Sequence, residues 1–551
     1  MSTISEDFPR HRPEDAQLFS RRRWWIGLTM ADILDRVADV FPEKEALVDD
    51  SVRLTFSELR TRIDRLAAGL MNMGIAKGDP VLLQLPNWGE FVYSYFALQR
   101  IGAIPVLLIS GYKQLEVSHL ARLTQAKAWI VPDAYRKIDY ISFIGEVKEK
   151  NPQLQHYISV RATKARGAFT ASLERLMERD LSATDRHHLE NRKPDPFDIA
   201  HIIPSGGTTG LPKGIPRTHN DYICNVEYQH RGWESCSRDI CLIFVPIGHN
   251  LALLNVIGSV LVGFKLVLSD SARPQDICRL IQAEKITYIP TVPSVVRRIL
   301  DFEGLKENDL TSLQKISAGG ELSSSDLIRE VYRKLSCTYI NEFGMSEGLV
   351  CRTRLTDDVG TICQTVGKPV CPYEQIKIID EAGGELPPGV DGELVTRGPG
   401  IFAGYWKNPE ENQRCFTGDG FFKTGDQARI DAAGNLKITG RIKDIIIRGG
   451  ENISPAQVED LLRSFPGIAD VAVIGMPDRE LGEKVCAYIQ PVFGVKIDRE
   501  EVKAFLESQG ASKLLIPERF EFVADSLPMT EAGKHDKKAL REDIKQKLSK
   551  E

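Results

Sequence analysis

The sequence predicts an α/β fold: a large N-terminal domain of βαβ-type subdomains with a β-rich subdomain at its end, and a small α+β C-terminal domain. Three observations carry that expectation. Short apolar runs closed by turn residues, VLLQLPN (81–87), IPVLLIS (104–110) and AWIVPD (128–133), alternate with helical patterns such as FVYSYFALQRIG, the rhythm of a mostly parallel sheet. After residue 370 the texture changes to IKIIDEAGGELPPGVDGELVTRG, which reads as antiparallel strands joined by tight turns. In the last roughly 110 residues, strands at DVAVIG (470–475) and KVCAYIQPV (484–492) surround a helix at REEVKAFLESQ (499–509).

The elements follow in order. RRRWW (21–25) reads as a packing strap of tryptophan with solvated arginine. Thr29 is placed to cap a helix in which Met30, Ile33, Leu34, Val37 and Val40 recur at helical spacing. LALLNVIGSVLVGFKLVL (251–268) has nearly the length of a membrane span. Asn255 and Lys265 interrupt it and two glycines split it, so the reading is a buried helix feeding a core strand. The βαβ rhythm returns in KLVLS (265–269), ITYIPTV (286–292) and LQKISAGG (313–320). The closing EDIKQKLSKE reads as a solvated helix end or a frayed tail.

Composition narrows the function classes. A chain of 551 residues exceeds one hydrophobic core. A net charge of −5 argues against a nucleic-acid binder, which would carry a basic domain. Ten cysteines without a CxxC pair read as reduced thiols. SEDFPRHRPEDAQ has no apolar core, so no secretory signal is read there, and a cytoplasmic enzyme without a membrane anchor is expected. Oligomeric state is not legible.

The most informative stretch is PSGGTTGLPKGIPRTH (204–219), a mixture that no helix or strand interior accommodates. Glycine lets the main chain approach an anion, successive N–H groups form a concave anion site, and Lys213 adds a mobile positive charge. The expected guest is a phosphate chain. The stretch is not GxxxxGK[ST], since Pro212 precedes Lys213 and Gly214 follows it.

This loop resembles the phosphate loop of the AMP-forming adenylating enzymes, which include acyl-CoA synthetases, adenylation domains and luciferases. AGGELS (318–323), NEFGMSEG (341–348), GELVTRGPGIFAGYWKNPE (392–410), KTGDQARID (423–431), GRIKDIIIRGGENISPAQVE (440–459) and EAGKHDKKALR (531–541) match further motifs in the family's order. The resemblance runs from about residue 28 to the end of the chain. It implies two half-reactions: a carboxylate attacks the α-phosphate of ATP, giving an acyl-adenylate and pyrophosphate, and a thiol then displaces AMP.

The residue roles below are those the resemblance implies. Thr208, Thr209 and Lys213 hold the β- and γ-phosphates, and Ser205 belongs to the nucleotide-binding set. Glu347 is the Mg²⁺ ligand, with Ser346 at the α-phosphate. Gly319, Gly320 and Glu321 line the adenine and Phe343 stacks on it, with Asn341, Glu342 and Gly344 also in the nucleotide-binding set. Asp426 accepts hydrogen bonds from the ribose hydroxyls, and Arg441 adds a second ribose contact. Lys534 bridges carboxylate and phosphate during adenylation. The small domain swings about Lys443, dividing the chain into 1–442 and 443–551, and Gly449 and Gly450 then face the thiol channel.

VPIGHNLALLN (245–255) is expected to line the acid pocket, with His249 near the carboxylate and Asn250, Leu251, Asn255, Gly319 and Val350 around the ring. The subfamily resembled most is the 2,3-dihydroxybenzoate– and salicylate–AMP ligases, through SGGTTGLPKGIPRTHNDYI, GHN and FGMSEGLV. Leu251 and Asn255 depart from its pattern, standing where a tyrosine and a serine are expected. The leading expectation is therefore a CoA ligase for a cyclic acid such as benzoate or cyclohexenecarboxylate, chemically reversible toward ATP. The alternative is a dihydroxybenzoate– or salicylate–AMP ligase loading an aryl carrier protein. ATP, Mg²⁺ and CoA are the expected cofactors and co-substrates.

Overall fold

The computed structural model describes residues 9–162, 166–205, 211–320, 323–441, 446–453, 455–492, 494–523, 526–528 and 535–550. The expected alternation is present as two large sheets. In one, seven strands follow the order Lys213–Thr218, Ile199–Ser205, Ile104–Leu107, Pro80–Leu83, Ala128–Pro132, His156–Val160, Ala171–Ser172, antiparallel only at the first pair. In the other, nine strands surround a parallel centre that includes Lys265–Leu268, Ile240–Ile243, Tyr288–Thr291, Lys315–Ala318 and Thr338–Gly344. One apolar core lies against both sheets and takes in the helices Met30–Val40, Phe56–Asn72, Gly89–Arg100 and Asn250–Val262, and a second, with Trp129, Tyr140 and Phe143, packs on the seven-stranded sheet.

Local sequence explains the elements. Thr29 accepts from the backbone of Asp32 and Asp32 accepts from that of Thr29, a reciprocal cap worth about 1 kcal/mol. The stretch 251–268 is the expected buried helix and core strand, Asn250–Val262 and Lys265–Leu268. The two glycines act differently there. Gly263 ends the helix in the left-handed region at φ 86°, whereas Gly258 lies inside it and makes room for the His230 ring. The reading that both glycines split the segment is corrected to this extent.

The β-rich texture after residue 370 is a four-stranded antiparallel sheet, Gln375–Ile379, Gly392–Arg397, Phe422–Ile430 and Leu436–Arg441. It is tied back to the chain's beginning. Trp25 donates its indole N–H to the Pro399 carbonyl at 2.7 Å, Trp24 stacks on Tyr373, and Asp15 pairs with Arg397. This is the strap expected from RRRWW.

From Ile446 onward a five-stranded sheet carries its own apolar core, with Val458, Leu462, Val502 and Leu506 against one face. The closing helix Lys537–Leu548 covers the other face and buries Leu540 and Ile544 beside Tyr488. Of the two expectations for EDIKQKLSKE, the frayed tail is corrected to a helix, and the solvated helix end holds except at the buried Ile544: an apolar pair at i and i+4 suffices to dock a helix whose remaining surface is charged. All ten cysteines are free thiols, and all but Cys236 and Cys363 are buried.

Candidate active site

The phosphate-loop sequence forms the end of a β-hairpin, in which Ser205 pairs with Lys213 at the mouth. Thr208 and Thr209 lie outside the described residues, as do Glu321, Lys443 and Lys534. Behind the mouth, Arg217 is fully buried and holds three segments together. Its guanidinium donates to Asp221 (2.7 Å), Asn225 (2.7 Å) and the carbonyls of Ser346 (2.8 Å) and Gly400 (2.6 Å). Burial works against the Asp221 charge, but Arg217 and neighbouring donors outweigh it and keep that carboxyl below its ordinary range. The hairpin and the Ser346–Glu347 motif are thereby fixed to each other.

Glu347 is half-buried. Its carboxylate accepts from the Tyr405 hydroxyl at 2.8 Å, and its carbonyl accepts from the Phe402 backbone at 2.7 Å. Burial pushes the Glu347 carboxyl up, opposed by the Tyr405 hydrogen bond and the charges of Lys213 and Arg217. The Lys213 ammonium lies over the Tyr405 ring, 4.6 Å from its centroid, and pairs with Glu411 at 2.7 Å. A cation and a carboxylate thus share one tyrosine.

Among the described residues no group of three or more acidic, histidine or cysteine side chains gathers as a metal site. Glu347 is one carboxylate. That donor set fits Mg²⁺, which completes its shell with phosphate oxygens and water.

Gly319, Gly320 and the 341–344 segment meet at the ends of adjacent parallel strands. A Cβ on Gly319 would lie 2.9 Å from the Glu342 carbonyl oxygen, and Gly320 sits at φ 83° opposite Gly450, so both positions require glycine. Asn341 donates to the carbonyls of Ile362 (3.2 Å) and Thr365 (3.0 Å) and accepts from Ser323. Glu342 is buried and accepts from Ser317 at 2.8 Å. Both side chains therefore serve internal bonds. Phe343 is half-buried beside the apolar cluster of the antiparallel sheet, and Gly344 is exposed. Asp426 is buried, and strand pairing sets it opposite Arg441.

On the acid side, His249 occupies the cap position of the Asn250–Val262 helix, and its Nε2 is 2.8 Å from the Glu451 carboxylate. Burial disfavours the imidazolium, but Glu451 outweighs it and raises the His249 pKa. Asn250 accepts from the Tyr222 hydroxyl at 2.9 Å and donates to the Met345 carbonyl. Leu251 is half-buried and Val350 buried. Asn255 is fully buried and donates to the Leu251 carbonyl (2.8 Å), while its oxygen accepts from Tyr288 (3.2 Å). Gly449 and Gly450 both have positive φ, and a Cβ on Gly450 would meet Val292 at 2.8 Å.

Tyr405, Glu411, Tyr222, Glu451 and Arg217 were given no role from the sequence. Only the Arg217–Asp221 spacing of i, i+4 offered a local signal; Glu411 and Glu451 act across 198 and 202 residues.

Comparison with known proteins identifies the family. The AMP-binding enzyme family matches residues 34–406. The AMP-binding enzyme C-terminal domain matches 457–534. The chain is 38% identical to the 2,3-dihydroxybenzoate-AMP ligase of Bacillus subtilis (strain 168), over 97% of each. It is 34% identical to the salicyl-AMP ligase / salicyl-S-ArCP synthetase of Mycobacterium tuberculosis, over 97% of this chain and 93% of that one. The apo structure of Mycobacterium smegmatis MbtA superposes with a TM-score of 0.73 at 32% identity, covering 98% of this chain and 100% of that one.

Proposed function

The chain belongs to the AMP-binding enzyme family and is an ATP-dependent adenylating ligase; from that premise we propose that it activates a hydroxylated aromatic acid of the dihydroxybenzoate and salicylate class as its acyl-adenylate and passes it to the thiol of a carrier protein. Of the two readings drawn from the sequence, the relatives favour this one over a cyclic-acid CoA ligase.

The observation that carries the reading is the convergence of Lys213 and Glu347 on Tyr405, beside the pairing of Ser205 with Lys213. A free carboxylate is a poor electrophile, and adenylation gives it a good leaving group. The protein's contribution is positioning and charge stabilisation. Lys213, with Ser205, Thr208 and Thr209, holds the phosphates that depart as pyrophosphate. Ser346 meets the α-phosphate, and Glu347 would hold Mg²⁺, which would supply charge neutralisation at the phosphate oxygens. Gly319, Gly320, Glu321 and Phe343 border the adenine, and Asp426 with Arg441 takes the ribose. Lys534 follows the charge as it moves from carboxylate to phosphate. For the second half-reaction the small domain, 443–551, turns about Lys443 against 1–442. Gly320 and Gly450 face each other there without side chains, with Val292 beside them, which suits the passage of the arriving thiol.

A second reading rests on two side chains. Leu251 brings no polar group to the ring, and both hydrogen-bonding ends of Asn255 are engaged internally. A pocket of that kind suits a ring acid without hydroxyls, delivered to CoA.

The test is a mass-spectrometric product assay with ATP, Mg²⁺, CoA and a panel of benzoate, salicylate, 2,3-dihydroxybenzoate and cyclohexenecarboxylate. An adenylate formed with the hydroxybenzoates and no CoA product supports the first reading. A CoA thioester of a hydroxyl-free acid supports the second.

A further inference from the structure

The segment Tyr405–Asn412 is built as a bracket against the phosphate hairpin. Asn412 clamps Tyr405 from both sides, accepting from its backbone N–H (2.7 Å) and donating to its carbonyl (2.9 Å). Trp406 donates its backbone N–H to the carbonyl of Gly214, the residue after Lys213, at 2.9 Å, and its indole to Leu123 at 3.2 Å. Asn408 caps the helix Pro409–Cys415 by accepting from the Glu411 backbone. Glu411 is thus delivered to Lys213 by a rigid support. The pair is largely out of solvent, with side-chain exposures of 10% for Lys213 and 16% for Glu411.

We propose that Glu411 is a positioning residue for the nucleotide: its carboxylate occupies, beside Lys213, the electrostatic place that the terminal phosphates of ATP take over, and it re-forms the pair as pyrophosphate leaves. This rests on the adenylating reading above.

Three points of chemistry carry it. A partly dehydrated ion pair interacts more strongly than a surface pair, so an incoming polyphosphate exchanges one anionic partner of Lys213 for another. The Tyr405 ring beneath the ammonium holds the cation over the site while its partner changes, since an aromatic face attracts a cation whichever anion faces it. The same tyrosine's hydroxyl bonds Glu347, so the bracket keeps the phosphate cation and the magnesium carboxylate in register during the exchange. The paired state also stores no uncompensated charge: removing Glu411 leaves a half-desolvated ammonium that a phosphate anion neutralises.

The experiment is calorimetric titration of the full-length protein with inorganic pyrophosphate and with ATP–Mg²⁺, for wild type, Glu411→Gln, Glu411→Asp and Glu410→Gln. Glutamine keeps the size of Glu411 without its charge. Glu410 is an exposed neighbour in the same helix turn and controls for net charge. The expected result is pyrophosphate binding about tenfold tighter in Glu411→Gln, a difference of about 1.4 kcal/mol. Glu411→Asp should fall between it and wild type, and Glu410→Gln within about twofold of wild type. Pyrophosphate should become the stronger product inhibitor in Glu411→Gln, with the KM for ATP lowered more than kcat. Unchanged or weaker pyrophosphate binding in a folded Glu411→Gln, or an equal gain in Glu410→Gln, overturns the proposal while leaving the adenylating reading standing. Failure of the wild type to bind ATP overturns both.

Discussion

The two sides of the site are built on opposite plans. On the phosphate side, charged groups from distant elements hold one another: Arg217 gathers Asp221, Asn225, Ser346 and Gly400, and Tyr405 joins Lys213 to Glu347. On the acid side, one apolar helix supplies the wall, and its amides are spent on their own surroundings, Asn255 on Leu251 and Tyr288, Asn250 on Tyr222 and Met345. The first plan fixes charges at defined points and suits a ligand that never varies. The second presents an apolar helix whose amides bond within the protein, and suits the proposed acid, a ligand that differs between relatives.

The sharpest way to break the contrast is Arg217→Met. It leaves Asp221 buried without its cation and should lower stability by about 3–5 kcal/mol, read from urea unfolding; a loss below about 1 kcal/mol would mean the phosphate side is not held as described. Next in size is Glu347→Gln. It should slow pyrophosphate release by about a hundredfold or more while thioester formation from a supplied adenylate continues. An unchanged release rate would remove Glu347 from the reaction.

On the acid side the double change Leu251→Tyr, Asn255→Ser should shift kcat/KM toward hydroxylated ring acids by about tenfold, with little effect on the KM for ATP. Equal shifts across the whole acid panel would refute a pocket role for these positions. The smallest effect concerns pH. The His249–Glu451 contact raises the folded pKa of His249, so its contribution is complete below the ordinary histidine value of about 6.5 and is lost as pH rises through the raised value. The rate from supplied adenylate should fall a few-fold over that window, and Glu451→Gln should flatten the profile; a profile unchanged by that variant would remove the contact from the second half-reaction.

The same contrast explains what could be read from the sequence. The family was legible because its motifs, 204–219 and 341–348 among them, lie in contiguous runs that can be matched without a structure. The βαβ alternation and the 251–268 helix were legible from apolar patterning. The Glu411 and Glu451 contacts were not, because each joins side chains some two hundred residues apart, and an isolated glutamate reads as a solvated surface group. The docking of the closing helix was missed for a related reason: in KKALREDIKQKL two buried apolar residues are outnumbered by charges, and only the sheet beneath shows which face matters.

The strap of Trp24 and Trp25 has a consequence for how the molecule comes into being. Its anchor, the Pro399 carbonyl, lies 374 residues further along the chain. On the ribosome, at about 5–20 residues per second, Trp25 waits roughly 20 to 75 seconds for that carbonyl to be synthesised. The nascent chain therefore carries an adhesive aromatic end through most of its own translation. A chaperone that shields this end would decide yield without touching a single residue of the finished enzyme's chemistry.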